Sequence, residues 1–483
     1  MSCEWPLVTL SKLIEIKHGW AFKGKHMAES VIKGPIVVAI GNFDYSGGFR
    51  FSSTRIKRYT EDYPKEYQLQ PGDVLLAMTC QTPGGEILGL PGIIPEDDEV
   101  YLHNQRLGKL IVKEPKKVWA PFLYWVFLSY DFNRYLAGSA TGTKILHTSP
   151  NKITSYETRI PPINLQQSIA NILWSISDKI SLNHQINQIL EQMAQAIFKS
   201  WFVDFEPVKA KIAALKAGGS QEDALLAAMQ AISGKSSEQL TRLQAEQPEQ
   251  YAQLRTTAEL FPSAMQDSEL GEIPEGWSCR ALDDIAKYKN GLALQKFRPE
   301  NENDYLPVVK IAQLKKGYAD GEEKASPNIN PECIIDNGDV VFSWSGSLLV
   351  DTWCGGRAAL NQHLFKVTSE THPKWLYYHF TQHHLEDFQR IAADKAVTMG
   401  HIKREHLKRA LCAIPCEQLI SDAGNSLRNI LEKQIELRLE SITLSTLRDT
   451  LLPKLLSGEL SISDAESRVS EMDVSACTED SLL

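Results

Sequence analysis

The chain of 483 residues repeats itself at a spacing close to half its length. An internal repeat of that size limits the possible architectures more than any single motif does. Trp5, Leu10, Leu13 and Ile14 are echoed by Trp277, Leu282 and Ile285. Pro71-Gly72-Asp73-Val74-Leu75 returns as Asn337-Gly338-Asp339-Val340-Val341, Asn104-Gln105-Arg106-Leu107 as Asn361-Gln362-His363-Leu364, and Ile160-Pro161 as Ile414-Pro415. The offset between partners shrinks in order, from 272 at the tryptophans to 254 at the Ile-Pro pairs. Collinear echoes with a slowly falling offset imply two copies of one domain, the second trimmed by small deletions.

Each copy reads as α+β. Short β-branched runs such as Gly34-Pro35-Ile36-Val37-Val38-Ala39-Ile40 and Asp339-Val340-Val341-Phe342 are bounded by turn residues, and helical patches from Pro121 to Leu136 and from Pro373 to Ala392 come late in each copy. A long helical pattern then follows each copy. From Ile163 to Phe205, Ile169, Ile172, Ile176, Ile186, Leu190, Met193 and Ile197 keep three-and-four spacing, with Lys179 and Asn183 at intervening seam positions. From Glu417 to Leu456, Ala423, Ile430, Leu437, Leu444 and Leu451 recur every seventh residue. Their partner series, Ile420, Leu427, Gln434, Ser441, Arg448 and Leu455, is polar in the middle. Seams with a polar interruption suit helices that pack on each other, because a polar residue at a seam position fixes register. Domain, helix, domain, helix gives a pseudo-two-fold object if the helices lie antiparallel.

The resulting segments are 1–162 for the first domain, 163–205 for the first long helix, 206–270 for a connector of short helices, 271–415 for the second domain, 416–458 for the second long helix and 459–483 for an acidic tail. Ser220 after Gly218-Gly219, followed by Glu222 and Asp223, reads as a helix start inside the connector. The tail sets Glu459, Asp464, Glu466, Glu471, Asp473, Glu479 and Asp480 against Arg468, whereas Ile402 to Arg409, IKREHLKR, is basic. The formal net charge of −9 therefore hides segregated charge, and a local basic surface is compatible with it.

Several chemistries are not encoded. Pro161-Pro162 lacks the Asp or Asn and the aromatic partner of a base-modifying loop. Gly234-Lys235-Ser236 has Met229 where a phosphate-cradling loop needs glycine. The eight cysteines are scattered without metal-site spacing, and His383-His384 reads as an exposed helical pair. The N-terminal MSCEWPLVTL lacks the pattern of a secretory signal, and no run of apolar residues is long enough to span a bilayer, so a cytoplasmic chain with no membrane partner is expected.

Three phrases carry a family resemblance: Ala196-Ile197-Phe198-Lys199-Ser200-Trp201-Phe202-Val203-Asp204-Phe205-Glu206-Pro207, Leu270-Gly271-Glu272-Ile273-Pro274-Glu275-Gly276-Trp277, and Leu452-Pro453-Lys454-Leu455-Leu456-Ser457-Gly458-Glu459-Leu460. With the duplication, the chain resembles the specificity subunits of type I restriction-modification systems. The resemblance implies an α+β fold of two tandem-duplicated mixed α/β target-recognition domains separated by two long antiparallel coiled-coil helices. It implies a non-catalytic subunit that reads a bipartite, asymmetric site on double-stranded DNA and recruits two modification (methyltransferase) subunits and restriction (translocase/nuclease) subunits. No cofactor is then expected in this chain; S-adenosylmethionine, ATP and magnesium belong to the partners. A non-catalytic scaffold with duplicated protein-binding domains is the alternative.

Reading DNA takes Lys and Arg on phosphates and Arg, Asn, Gln, Ser or Thr on base edges, carried on loops between strands. In the first copy these requirements select Lys17, His18, Trp20 and Lys23, then Thr79 and Gln81, Asn104, Gln105 and Arg106, and Thr143 with Lys144. In the second they select Lys289, Asn290, Gln295 and Lys296, then Ser343, Trp344 and Ser345, Gln362 and His363, and His401 with Lys403 and Arg404. The loops align Gln81 with Ser345, Arg106 with His363 and Lys144 with His401, so the half-sites are expected to differ. Trp5 and Trp277 are assigned to the core.

Overall fold

The computed structural model describes residues 5–29, 33–45, 47–52, 54–394, 400–422 and 424–479. Ala423 of the second helical repeat and Asp480 of the acidic tail lie outside the described residues. The chain divides into two compact units, residues 1–180 with 442–483, and residues 181–441.

In the first unit a four-stranded antiparallel sheet runs in the order Ile14–His18, Leu107–Val112, Val74–Ala77, Pro91–Ile93. A second sheet orders Met27–Glu29, Lys57–Tyr59, Ile36–Val38 and Tyr101–His103, its last two strands parallel. The second unit repeats this plan. Lys287–Asn290, Leu364–Thr368, Val340–Ser343 and Leu349–Thr352 form the antiparallel sheet, and Leu306–Val309 pairs parallel with Ala358–Leu360 in the other. Details recur as well. Gly72 and Gly338 turn into the central strand at φ 83° and 82°, a conformation that excludes most side chains. The aspartates that follow them bind the lysine of the neighbouring strand, Asp73 with Lys109 at 2.5 Å and Asp339 with Lys366 at 2.7 Å.

The long helical patterns form the helices Ile163–Phe198 and Gly424–Ser457. In the first unit Ile169, Leu173 and Ile176 of the first helix share a core with Leu444, Leu451 and Leu455 of the second. Trp174 packs on Tyr124 and Trp125 of the adjoining domain at ring distances of 4.7 and 5.0 Å. Gln166, fully buried, holds the same junction by donating to the Lys117 and Pro161 carbonyls and accepting from the Trp119 amide. Met193, placed in the seam by its spacing, is instead 48% exposed.

In the second unit the first helix passes into a π-helical turn, Lys199–Val203, and Phe205 takes a left-handed conformation at φ 56° before the helix Glu206–Lys216 begins. The turn brings Trp201 and Phe202 into the core with Phe261, Trp277 and Trp375. Trp277 is buried as expected, and Trp5 is half-buried against the core of its own unit. Helices Gln221–Ser233, Ser237–Glu246 and Pro248–Glu259 follow and close a small core around Leu225, Met229, Leu240 and Ala258. Ser220 caps the first of them, its hydroxyl accepting from the Asp223 amide and Asp223 accepting from the Ser220 amide. The acidic tail includes a helix, Ile462–Glu479, whose Ala465 is buried in the first unit.

The expectation of an exposed His383-His384 pair holds for only half of it. His384, between the helices Lys374–His383 and Leu385–Asp394, is buried with Nε2 3.1 Å from the Leu411 carbonyl and its ring against Phe388. Burial pushes His384, His379 and His103 down to about 4 in each case. The folded chain keeps them neutral where an unfolded one protonates them near pH 6.5. Their contribution is complete above pH 6.5 and is lost as pH falls toward 4, since the unfolded state binds more protons in that window. At pH 5 this amounts to on the order of 2 kcal/mol for each histidine. Urea unfolding at pH 7 and pH 5 should show a lower midpoint in acid, with the second unit, which holds two of the three, losing more. An unchanged midpoint would contradict the assignment.

Candidate nucleic-acid interface

Four chain segments meet at one end of the antiparallel sheet of each unit. In the first, the strand Ile14–His18 stops at Gly19, which lies flat on the backbone of the strand Tyr101–His103 as that strand ends. The Trp20 amide donates to the His103 carbonyl at 2.9 Å and the Gln105 amide to the Trp20 carbonyl at 3.0 Å. The Met78 amide reaches the Arg106 carbonyl at 3.0 Å, and the Thr148 amide reaches the Met78 carbonyl at 3.0 Å. Segments 18–20, 78–80, 104–106 and 141–148 are thereby one hydrogen-bonded cluster. In the second unit Leu292 donates to Leu360 at 2.9 Å, Gln362 to Leu292 at 2.9 Å, and Ile402 to Trp344 at 3.0 Å. Asn104 and Asn361 close their turns in the same way, accepting from the amides of Arg106 and His363 at 3.1 and 3.2 Å.

Those matching bonds correct the loop alignment made from sequence. Met78 takes the place of Trp344 and Thr148 that of Ile402, so Thr79 corresponds to Ser345 and His147 to His401. The antiparallel pairs Thr79 with His147 and Ser345 with His401 agree with this. Lys144 is therefore not the counterpart of His401, nor Gln81 of Ser345. The offset that fits Ile160 with Ile414 already relates His147 to His401 and was the signal available for it. Arg106 does stand opposite His363.

The selected residues differ in what they present. Lys17, His18, Lys23, Gln81, Gln105, Arg106, Thr143 and Lys144 are exposed in the first unit, as are Asn290, Gln295, Lys296, Gln362, His401, Lys403 and Arg404 in the second. Lys17, Arg106 and Lys144 have no carboxylate partner among the described residues. Lys289, by contrast, lies 2.7 Å from Glu332, a carboxylate that it shares with Lys287. Arg404 donates to the Tyr288 carbonyl at 3.2 Å, and Lys403 precedes it at the start of the helix Arg404–Arg409. Thr79 is buried, and so is Ser343, whose hydroxyl donates to the Ser345 carbonyl at 3.1 Å. Ser345 is buried too and meets Nδ1 of His363 at 3.0 Å. These three support the loop rather than face outward. Trp20 is half-buried among Phe22, Tyr59 and Tyr67. Trp344 packs between His363 and Phe365 and donates from Nε1 to the Gln362 carbonyl at 3.2 Å.

Sequence reasoning passed over Gly19 and Gly291. A Cβ on Gly19 would overlap the carbonyl oxygens of His103 and Asn104, and one on Gly291 those of Leu360 and Asn361. Their shared offset of 272 from one copy to the other was the available signal. Exposed His147 was missed as well. Among the described residues no group of His, Cys, Asp and Glu could hold a metal ion, and no helix is long and apolar enough to cross a membrane.

Comparison with known proteins matches this duplication. The family model described as "Type I restriction modification DNA specificity domain" matches residues 3–192 and 274–440, one stretch in each half of the chain. The HindI specificity subunit of Haemophilus influenzae is 32% identical over 369 residues, covering 73% of this chain and 80% of that protein. The MjaIX specificity subunit of Methanocaldococcus jannaschii is 23% identical over 380 residues, covering 75% of this chain and 73% of that protein. The crystal structure of an S subunit from M. genitalium aligns over 94% of this chain and 96% of its own at 14% identity, with a TM-score of 0.48.

Proposed function

Since the chain belongs to the DNA specificity family of type I restriction-modification systems, we propose that each four-segment cluster reads one half of a bipartite, asymmetric target on double-stranded DNA. The subunit is not itself a catalyst. It gives sequence specificity to the complex it forms with modification and restriction subunits, which supply methyl transfer from S-adenosylmethionine and ATP- and magnesium-dependent translocation and cleavage. The observation that carries the reading is the duplicated cluster, in which the same backbone hydrogen bonds present different side chains.

In the first domain Lys17, Lys23 and Lys144 hold phosphates, while Gln105, Arg106, Gln81, Thr143 and His147 reach base edges. In the second, Lys296, Lys403 and Arg404 hold phosphates, while Asn290, Gln295, Gln362, His363 and His401 face bases. Arg106 offers a bidentate donor where His363 offers a single ring nitrogen or proton, so the two clusters select different bases. Thr79, Ser343 and Ser345 shape the loops, and Lys289 is held at Glu332 together with Lys287.

The test is the methylation pattern. The purified chain alone should transfer no methyl group. With its modification subunits, long-read sequencing of methylated DNA should give two unlike half-sites separated by unspecified bases, and binding should weaken steeply with salt because phosphate contacts release counterions. A palindromic or continuous motif, or methyl transfer by the chain free of other subunits, would overturn the proposal.

A further inference from the structure

Within the second unit the seam between the long helices carries a polar layer that base reading does not use. Glu191 of the first helix accepts from Nε2 of Gln434, on the second helix, at 2.9 Å. Its other oxygen accepts from Nε2 of Gln382, on the domain helix Lys374–His383, at 2.6 Å and from Gln195 at 2.7 Å. Gln434 is buried. Burial works to raise the Glu191 carboxyl, but the amides of Gln434, Gln382 and Gln195 outweigh it and hold the group below the ordinary range. The carboxylate is therefore charged at neutral pH and joins three helices.

Two turns earlier Asn183, also buried, donates to Glu440 at 2.7 Å. Residue numbers fall along the second helix as they rise along the first, so both pairs belong to one antiparallel register. Between them on the second helix, Arg438 makes two bonds to Asp351, at 2.7 and 3.0 Å, and one to Thr352 at 3.0 Å, fastening that helix to an edge strand of the domain.

We infer that Glu191 is a specificity-determining positioning residue: by tying Gln434 and Gln382 together it fixes helix register and the seat of the second domain, and so selects the number of base pairs between the half-sites. The inference rests on the DNA-specificity reading above. The facing positions of the second helix are Leu427, Gln434 and Ser441, one heptad apart. Sliding by a heptad sets the carboxylate against leucine one way and serine the other, and either slide takes Gln434 away from it. A buried polar contact of this kind adds little net stability compared with apolar packing, yet it excludes the alternative registers.

The experiment uses the full chain assembled with its modification subunits and a library of duplexes carrying both half-sites at graded spacings. The wild-type complex should methylate one spacing preferentially. The combined variant Glu191→Leu with Gln434→Leu keeps the seam filled, so it should still methylate both half-sites while its preference for the best spacing over the next falls about tenfold or more. Glu191→Gln, which keeps size and removes charge, should shift the preference the same way to a smaller extent, and Gln192→Ala, at an exposed position of the same helix, should leave it unchanged. A wild-type preference retained in the double variant overturns the inference; if that variant does not assemble, a wild-type preference retained in Glu191→Gln overturns it. Failure of the wild-type complex to show paired half-sites would count against the DNA-specificity reading itself.

Discussion

Gly291→Ala should weaken specific DNA binding by the assembled complex about a hundredfold or more while leaving the chain folded, and Gly19→Ala should do the same. Neither position needs a left-handed backbone; the constraint is close approach. A Cβ at Gly291 would overlap the carbonyl oxygens of Leu360 and Asn361, and one at Gly19 those of His103 and Asn104. The obstruction is backbone at the edge of a packed sheet, with Leu360 fully buried and His103 at 3% exposure, so no side chain can rotate away. The loop must instead lift, breaking the bonds from Leu292 to Leu360 and from Gln362 to Leu292. Gln362 and His363 are then carried off their base edges.

Overpacking of this kind costs about 1–3 kcal/mol even where the surroundings yield, and each lost base contact costs a further 1–3 kcal/mol or so of discrimination. Specific affinity should therefore fall by about a hundredfold or more. The unfolding midpoint should fall as well, but a cost of about 1–3 kcal/mol is less than the roughly 5–15 kcal/mol that holds a typical domain folded. Gly138→Ala, where an added Cβ meets nothing within 4 Å, is the control. Fluorescence anisotropy with specific and scrambled duplexes gives the readout. Wild-type specific affinity in Gly291→Ala would show that the four-segment cluster does not read DNA.

These glycines also show where sequence reading stops. The duplication was legible because each copy must solve the same backbone problems: a left-handed turn at Gly72 and Gly338, and an aspartate aimed at a neighbouring strand's lysine at Asp73 and Asp339. Helix periodicity was legible because Leu444, Leu451 and Leu455 face a core. Which loop residues point outward was not, since Ser343, Ser345 and Thr79 sit in strands or bridges whose alternation is interrupted where the sheet ends. A polar residue there reads as a contact and turns out to be a brace. Loop alignment failed in the same region: hydrogen bonding gives His147 and His401 corresponding places in their own units, yet no side-chain identity surrounds them except the histidine. The π-helical turn at Lys199–Val203 had no periodic signature, being a single extra residue absorbed by aromatic packing around Phe202.

Matched insertions in both long helices should lengthen the spacing of the DNA target without changing its half-sites. An insertion in the first helix alone looks sufficient from heptad periodicity, but the observed pairs make it costly. Placed between Asn183 and Glu191, four added residues would leave Asn183 with Glu440 or Glu191 with Gln434, never both. The matching place on the second helix lies between Gln434 and Glu440. Four residues in each helix add about 6 Å and turn each helix by one full turn plus about 40°, so the seam returns nearly to face. With base pairs rising about 3.4 Å each, the preferred spacing should grow by one or two base pairs. The one-sided insertion should assemble less stably and methylate weakly, because it leaves a buried carboxylate or amide without its partner. Methylation motifs from cells carrying each variant distinguish the outcomes. A doubly inserted subunit that remains active at the original spacing would mean that the helices do not set the distance between half-sites, and the polar layer around Glu191 would then serve only to hold the second domain in place.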